Sequence, residues 1–256
     1  MRLRHYILTR YNLGLYERHI DPAIWMPYRL RLFRRYCVPS IRAQTCQAFD
    51  WLVAIDTRTS QADRRQIVEA APNARIIVNQ SACTLNRFWS ALVSTFATAA
   101  GGCDHVLTTR LDNDDMFAVD AVEALQTACR RNTRSRALDF RDNLFYHVRN
   151  KNHRYVYIEH ENAVGSAFVS YLEPCSSRCH TVLSRRHGAW TRPQFVATQR
   201  TMAICHRANL GNRIRPHYKR RKWPRRFPRP NQPTLTTHDK TEYDQDGHAN
   251  SGENDE

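Results

Sequence analysis

The sequence predicts an α/β fold, with a mostly parallel sheet that carries helices on both faces. Short apolar runs alternate with amphipathic segments from the N-terminus to about Cys129, which is the element order of a chain of βαβ units. A length of 256 residues, 41% of them hydrophobic, is sufficient for one well-buried core. No apolar run approaches the ~18 residues that a membrane span needs.

The first half of the chain contains four predicted strands, each an apolar run closed by a polar or charged residue: 6–9, 51–55, 74–78 and 105–109. Three predicted helices with an apolar face lie between them: 24–36, 61–71 and 85–100. Pro39 is expected to end or kink the first helix, and Ser60 is expected to cap the second. In such a sheet, ligands bind where the parallel strands end.

The second half changes in character. A helix is predicted over 120–129, and the segments after it are mostly β-like: 138–140, 145–148, 155–158, 167–171 and 181–183. The runs 145–148 and 155–158 are predicted to form a hairpin. Residues 213–229 are rich in Arg, Lys and Pro, and the chain then becomes polar and acidic. This composition predicts a disordered tail over 213–256.

Most of the cysteines are expected to be free, buried, small hydrophobic residues in a reducing compartment. The chain has eight, and none of them form a Cys-x-x-Cys pair, so a structural zinc site has little support. Residues 1–6 lack the apolar core and cleavage site of a secretory signal. The chain is therefore expected to be cytoplasmic.

The formal net charge of +15 predicts an anionic partner. Nucleic acid, a phosphorylated substrate and an acidic membrane surface all meet this requirement, and the charge alone does not choose among them. Much of it lies in 213–229, so the globular part is less basic than the total suggests.

The strongest chemical signal is the run Asp112-Asn113-Asp114-Asp115, which directly follows the fourth predicted strand. Like charges gathered in this way need a cation or protons to offset them. Ligands that are all oxygen, without nearby His or Cys pairs, suit Mg²⁺ or Mn²⁺. The alternative is a solvated turn in which Asp115 helps to cap the next helix.

The run from Thr108 to Asp115 resembles the Asp-x-Asp region of GT-A glycosyltransferases and, more narrowly, that of a bacterial family of rhamnosyltransferases. Other parts of 6–213 resemble the same family: 9–12, 37–41, Gln44, Thr45, Phe49, Trp51, Asp56, 202–206 and Asn209. The resemblance implies a GT-A-like (Rossmann-like) domain over 1–212. Within it, about 1–116 would bind the nucleotide-sugar and about 117–212 the acceptor.

The resemblance also implies roles for single residues. Asp112 and Asp114 would bind the metal ion and the donor, and His206 would be a later metal or diphosphate ligand. Asp115 would support or contact the transferred sugar. The remaining donor-binding residues would be Asp56 at the base, Thr9 and Arg10 beside the nucleotide, and Arg110 at a phosphate or bracing the acidic turn. Simpler readings are a helix cap for Asp56, a solvated charge for Arg10 and a packed ring for His206.

Glu173 is the first choice for the general base that deprotonates the acceptor hydroxyl, on the family pattern. Asp142 and Glu161 are the other carboxylates considered in the acceptor half. Any of the three could instead be an ordinary surface charge.

The resulting hypothesis is a metal-dependent glycosyltransferase that moves a sugar, rhamnose by the family label, from a nucleoside diphosphate to a glycan or lipid-linked acceptor in polysaccharide biosynthesis. The basic tail would hold it at the inner membrane surface. One alternative is a nucleic-acid-binding protein that uses the 213–229 arm, with Trp223 and Phe227 stacking on bases. Another is a phosphohydrolase with an Asp nucleophile, which normally lies after the first strand of its domain and not the fourth.

Overall fold

The computed structural model describes residues 1–18, 20–79, 85–99, 102–131, 133–148, 155–158, 166–176, 178–185, 189–190, 193–205 and 219–229. The strands are β1 (Leu3–Arg10), β2 (Asp50–Asp56), β3 (Ala74–Asn79), β4 (His105–Arg110), β5 (Met116–Phe117), β6 (Arg136–Arg141), β7 (Leu144–His147), β8 (Tyr155–Ile158), β9 (Ser170–Pro174), β10 (Gln194–Thr198), β11 (Thr201–Cys205) and β12 (Lys219–Lys222). The helices are α1 (Pro22–Leu32), α2 (Val38–Arg42), α3 (Gln61–Ala70), α4 (Leu85–Ala99) and α5 (Ala121–Arg131), with 3-10 turns at Tyr16–Arg18 and Val182–Ser184.

A seven-stranded sheet in the order β10-β6-β9-β4-β1-β2-β3 forms the centre of the fold. Strands β4, β1, β2 and β3 are parallel neighbours, and β9 is inserted antiparallel between β4 and β6. A smaller sheet has the order β12-β8-β7-β11-β5. The mixed α/β fold with a mostly parallel central sheet, predicted from the alternating pattern, is confirmed.

Side chains alternate along the central strands and build a separate core on each face of the sheet. One core joins Ile7, Val53 and Leu107 to residues of α1, α2, α3 and α5. The opposite core joins Leu8 and Leu52 to α4. Helices therefore cover both faces, as predicted. In the part of the chain that the structure describes, no helix combines the length and apolar character needed to cross a bilayer.

The first predicted helix continues past Pro39, where it was expected to end or kink. A π-helical turn at Phe33–Cys37 joins α1 to α2, and the amide of Val38 bonds to the carbonyl of Phe33, five residues earlier. Proline has no amide hydrogen to place in an α-helical ladder. The change of hydrogen-bond pattern directly before Pro39 lets the helix run on to Arg42.

The predicted hairpin is confirmed, because β7 and β8 pair antiparallel with Leu144 opposite Ile158. The prediction that the chain is disordered from residue 213 is wrong for residues 219–229. There, β12 pairs antiparallel with β8, and Trp223 and Phe227 are buried. The prediction failed because it was based on the Arg, Lys and Pro content of the segment and gave no weight to these two aromatic residues, which are buried.

Two of the eight cysteines differ from the free thiols expected for most of them. Cys103 and Cys175 form a disulfide with their Cα atoms 5.8 Å apart. The reason is the antiparallel pairing of β4 with β9, which sets His105 opposite Pro174 and brings the flanking residues together. Among the described cysteines, Cys37, Cys129, Cys179 and Cys205 are buried thiols, as expected.

A buried chain of polar side chains crosses the sheet at His5. Its Nδ1 lies 3.3 Å from the Gln126 amide nitrogen, which also donates to the carbonyl of Ala48. Its Nε2 lies 2.8 Å from the Thr109 hydroxyl, which is 2.8 Å from the hydroxyl of Ser170. An amide that donates to Nδ1 leaves the proton on Nε2. Burial therefore keeps this ring neutral and lowers the pKa of His5 to about 3.

We expect His5 to make the fold sensitive to acid. As the pH falls below 6.5, the unfolded chain takes up a proton that the folded ring accepts only near pH 3, so stability is lost across this window. Between pH 7 and pH 5 this amounts to ~2 kcal/mol. Urea unfolding should show that loss in the wild type and in H180Q, whose histidine is exposed, but much less of it in H5Q. Equal losses in all three proteins would contradict the assignment.

Candidate active site

The strand order β4-β1-β2 brings three chain segments to one edge of the central sheet. Because these strands are parallel, their C-terminal residues Arg10, Asp56 and Arg110 lie at the same edge. The acidic run follows β4 there, and the amide of Leu111 bonds to the carbonyl of Leu8 at 3.2 Å. The predicted convergence of Asp56 with the acidic run at one sheet edge is thus what the fold produces.

The acidic run folds into a tight turn that is held by one backbone hydrogen bond and by the buried side chain of Asn113. The amide of Asp115 bonds to the carbonyl of Asp112 at 3.2 Å. Asn113 is fully buried, and its amide nitrogen donates to the carbonyl of Tyr11 at 2.8 Å. The carboxylates on either side of this buried asparagine, Asp112 and Asp114, contact different arginines.

Asp112 is the carboxylate of this turn that remains accessible, with 28% of its side chain exposed. Arg110 holds it with two nitrogens, at 3.2 and 2.7 Å, and Arg10 approaches to 3.8 Å. Burial opposes its ionisation, but the guanidinium groups of Arg110 and Arg10 outweigh burial and hold the pKa of Asp112 well below its usual range. Asp112 is therefore a permanent anion with cations beside it.

Asp114 is buried and paired with Arg29 of α1. The guanidinium donates to both carboxylate oxygens, at 2.7 and 3.1 Å, and also to the side-chain oxygen of Asn113. The same guanidinium lies 5.1 Å from the centre of the Trp25 ring. The sequence pattern did not single out Arg29, because Arg31, Arg34 and Arg35 follow it closely. The signal available was a cation among the mostly apolar residues of 23–30.

Asp115 connects the acidic turn to the second sheet. Its Oδ1 accepts a 2.9 Å hydrogen bond from the backbone amide of Ile204 in β11. The residue is almost fully buried. Loss of water, followed by the charges of Asp114 and Asp112, raises the pKa of Asp115 well above its ordinary value.

Asp56 lies at the predicted edge, but its carboxylate is already engaged. Arg58 donates its backbone amide, Nε and Nη2 to the two oxygens, each at 2.8 Å. Desolvation raises the pKa of Asp56, but these hydrogen bonds outweigh it and the pKa is lowered. The Arg58 guanidinium also stacks on the ring of Tyr16 at 4.5 Å. The role of Asp56 at a base stays a prediction, and a base would meet this Asp–Arg pair.

Thr9 does not border an open site, so its predicted place beside the nucleotide is wrong for its side chain. The residue is fully buried, and its hydroxyl accepts a 2.9 Å hydrogen bond from the indole nitrogen of Trp51. Thr9 lies on the face of β1 that packs against the core containing Ile7 and Trp51. Its neighbour Arg10, on the opposite side of the strand, has 34% of its side chain exposed beside Asp112.

Glu173 is not placed to act as general base. It pairs with Val106, so it lies four residues, roughly 13 Å, down β4 from Arg110. Its carboxylate accepts the backbone amides of His180 and Thr181 at 2.8 and 2.9 Å, which gives it a structural role. The prediction is wrong because β9 runs antiparallel to β4 and carries Glu173 towards the opposite edge.

Asp142 is the described alternative to Glu173. It follows β6, whose direction matches that of β4, and it therefore lies at the edge of the sheet where β4 ends. Its φ of 54° is a conformation that aspartate tolerates in turns. The predicted residues Glu161 and His206 lie outside the described residues.

Within the acidic turn, Asp112 is the one carboxylate accessible to a divalent ion. No group of three His, Cys, Asp or Glu suited to a metal occurs among the described residues. Asp114 is bound by Arg29 at two oxygens and only 4% of its side chain is exposed, and this burial speaks against the predicted direct Asp114–metal bond. Asp112 still fits, because Mg²⁺ is commonly held by one or two carboxylates together with substrate phosphates.

Over residues 17–217, the sequence matches the family described as "Putative rhamnosyl transferase". The chain belongs to this family. Membership in the rhamnosyl transferase family confirms the predicted glycosyltransferase class, which the acidic turn at the end of β4 had indicated. No protein with a curated function matches the sequence.

Two solved structures are similar to parts of this rhamnosyl transferase family member. A crystal structure of S. aureus TarS 1-349 is 13% identical, with a TM-score of 0.34, over 58% of this chain and 36% of that one. The apo form of mouse xyloside xylosyltransferase 1 is 10% identical, with a TM-score of 0.32, over 55% and 52%. The chain thus spans little more than a third to a half of the length of these structures.

We expect Arg29 to be essential for stability, because its removal leaves the buried Asp114 without its counter-charge. Breaking such a pair costs ~3–5 kcal/mol. R29M should lose this much free energy of unfolding in urea, whereas R31Q, at an exposed position of the same helix, should stay close to the wild type. The double variant R29M/D114N should regain part of the loss. An R29M protein as stable as the wild type would contradict this account.

Proposed function

We propose that the protein is a glycosyltransferase that takes its sugar from a nucleoside diphosphate donor at the edge where β1, β2 and β4 end. The observation that carries this proposal is the accessible Asp112 flanked by Arg10 and Arg110. A diphosphate needs cationic partners, and guanidinium groups match the geometry of its oxygens. Family membership supports the same reaction class.

The two arginines and Asp112 set opposite requirements for the donor. Arg10 and Arg110 attract a diphosphate, whereas Asp112, held as an anion, repels it. An ion of Mn²⁺ or Mg²⁺ removes this conflict, since it would be held by Asp112 and would neutralise charge on the departing diphosphate. His206, in the same chain, is the proposed further ligand. Arg110 orients the Asp112 carboxylate through both of its contacts.

The rest of the site would serve the sugar and the acceptor. Rhamnose is the sugar favoured by the description of the family, and a glycan or lipid-linked glycan is the proposed acceptor. Asp115 would hold the acidic turn in place by accepting the hydrogen bond from the backbone amide of Ile204. Asp142 is the proposed general base at the same edge of the central sheet. This division would place donor chemistry on the parallel strands and acceptor chemistry at the end of β6.

The two alternative functions lose their main arguments. Trp223 and Phe227 are buried, so neither ring is open for stacking on a base as the nucleic-acid hypothesis requires. A phosphohydrolase normally has its Asp nucleophile after the first strand of the domain, whereas Asp112 follows the fourth strand, β4.

We expect D112N to lower turnover of the nucleotide-sugar by about 100-fold or more, since a lost electrostatic contact to the transition state commonly costs ~3 kcal/mol. The measurement is release of nucleoside diphosphate from a panel of nucleotide-sugars with Mn²⁺ present. E69Q, at an exposed position of α3, is the matched control and should keep full turnover. Circular dichroism should show that both variants are folded. Full turnover by folded D112N would remove the proposal.

Diphosphate and metal are expected to bind together. Ligands that bind the native state raise its apparent stability. Therefore Mn²⁺ with a nucleoside diphosphate should raise the Tm of the wild type more than the sum of the two separate effects. D112N should lose this synergy, and R10Q should weaken the diphosphate effect with or without metal. Additive shifts in the wild type would argue against a shared site.

A further inference from the structure

The segment 219–229, called here the basic segment, carries a dense set of cations outside the proposed site. Six of its side chains are exposed and positively charged: Arg220, Arg221, Lys222, Arg225, Arg226 and Arg229. Over residues 213–229 the sequence contains nine basic residues and no acidic one. A solvated charge run would not need a fixed position, but this segment has one.

The basic segment crosses the second sheet from one edge to the other. It begins as β12, which pairs with β8 at one edge with Lys222 opposite Tyr155. It ends near β5 at the other edge, where the amide of Val119 bonds to the carbonyl of Arg226 at 2.8 Å. The backbone is therefore held at both ends of its path.

Two aromatic side chains fix the orientation of the basic segment. The ring of Trp223 packs edge-to-face on Tyr146 of β7 at 5.2 Å, and its indole nitrogen donates to the carbonyl of Phe227 at 3.3 Å. Both aromatics belong to the core cluster that contains Met202 and Ile204 of β11. The two aromatic rings are thus buried, while the six cations on either side of them in the sequence stay exposed.

Helix α1 extends the same basic surface. Leu32 and Tyr28 pack against the cluster that buries Trp223 and Phe227. The exposed Arg31 lies over the ring of Tyr28, with its guanidinium carbon 5.6 Å from the ring centre. The basic segment and Arg31 therefore border the same apolar cluster.

We propose that the basic segment docks the protein on an anionic phospholipid surface. Six exposed cations on a backbone of fixed position complement the negative headgroups of such a surface. Each Lys or Arg near such a surface strengthens attachment roughly fivefold. Single-stranded nucleic acid is less suited, because both aromatic rings are buried and cannot stack on bases. The proposal is independent of the sugar chemistry, which needs Asp112 and not this surface.

The test is co-sedimentation of the full-length protein with two kinds of vesicle at a roughly physiological salt concentration. One kind contains phosphatidylcholine alone, and the other contains phosphatidylcholine with about 30% phosphatidylglycerol, which supplies the negative charge. The docking variant is R221Q/K222Q/R225Q/R229Q. The matched control is R65Q/R87Q/R130Q/R131Q, which removes the same charge from exposed positions on α3, α4 and α5. Neither variant touches the residues of the proposed active site.

We expect the wild type and the control to bind the anionic vesicles and not the neutral ones, and the docking variant to bind about 600-fold more weakly. Nucleotide-sugar turnover in solution should be equal in all three proteins, so a failure here is separable from a failure of the proposed function. Equal loss in the control would show that net charge, and not this surface, drives binding. Absence of vesicle binding, or tighter binding to a single-stranded oligonucleotide than to vesicles, would overturn the proposal.

Discussion

The crowding of three carboxyl groups within four residues, two of them buried, is the constraint on which the site depends. Their mutual repulsion at the end of β4 has to be offset for the turn to fold. The structure meets this requirement with guanidinium groups from three different elements: Arg10 of β1, Arg29 of α1 and Arg110 of β4. Strand order and helix placement are thus coupled to the chemistry, because each element that brings an arginine must be in position before the turn is stable.

The acidic turn also joins the two halves of the protein. Asp112 faces the arginines at the ends of the parallel strands, whereas Asp115 accepts its hydrogen bond from Ile204 of the second sheet. Asn113 holds the backbone between them. A donor bound on one side and an acceptor bound on the other would therefore meet at a single rigid loop, and the relative position of the two sheets is set at the same place.

Local features of the sequence predicted most of the central sheet and the acidic turn, because strand periodicity and polar strand ends depend on neighbouring residues. Features that depend on distant pairing were not predictable in this way. The Cys103–Cys175 disulfide and the position of Glu173 both follow from the antiparallel pairing of β9 with β4. The sequence around β9 does not show which strand it pairs with or in which direction. Arg29 could not be distinguished by sequence from Arg31, Arg34 and Arg35, which follow it closely. The basic composition of 219–229 predicted disorder although the segment contains two aromatic residues that are buried.

The π-helical turn at Phe33–Cys37 carries one residue more than a regular helix would place in the same length. Each residue rotates an α-helix by about 100°, so a deletion elsewhere in this helix would turn Arg29 away from its carboxylate or displace Ile41 from the core. A deletion within the wide turn would restore ordinary helical geometry and leave both ends in phase. The segment between the arginine and the proline is therefore the place where this helix can change its length in evolution without losing either contact.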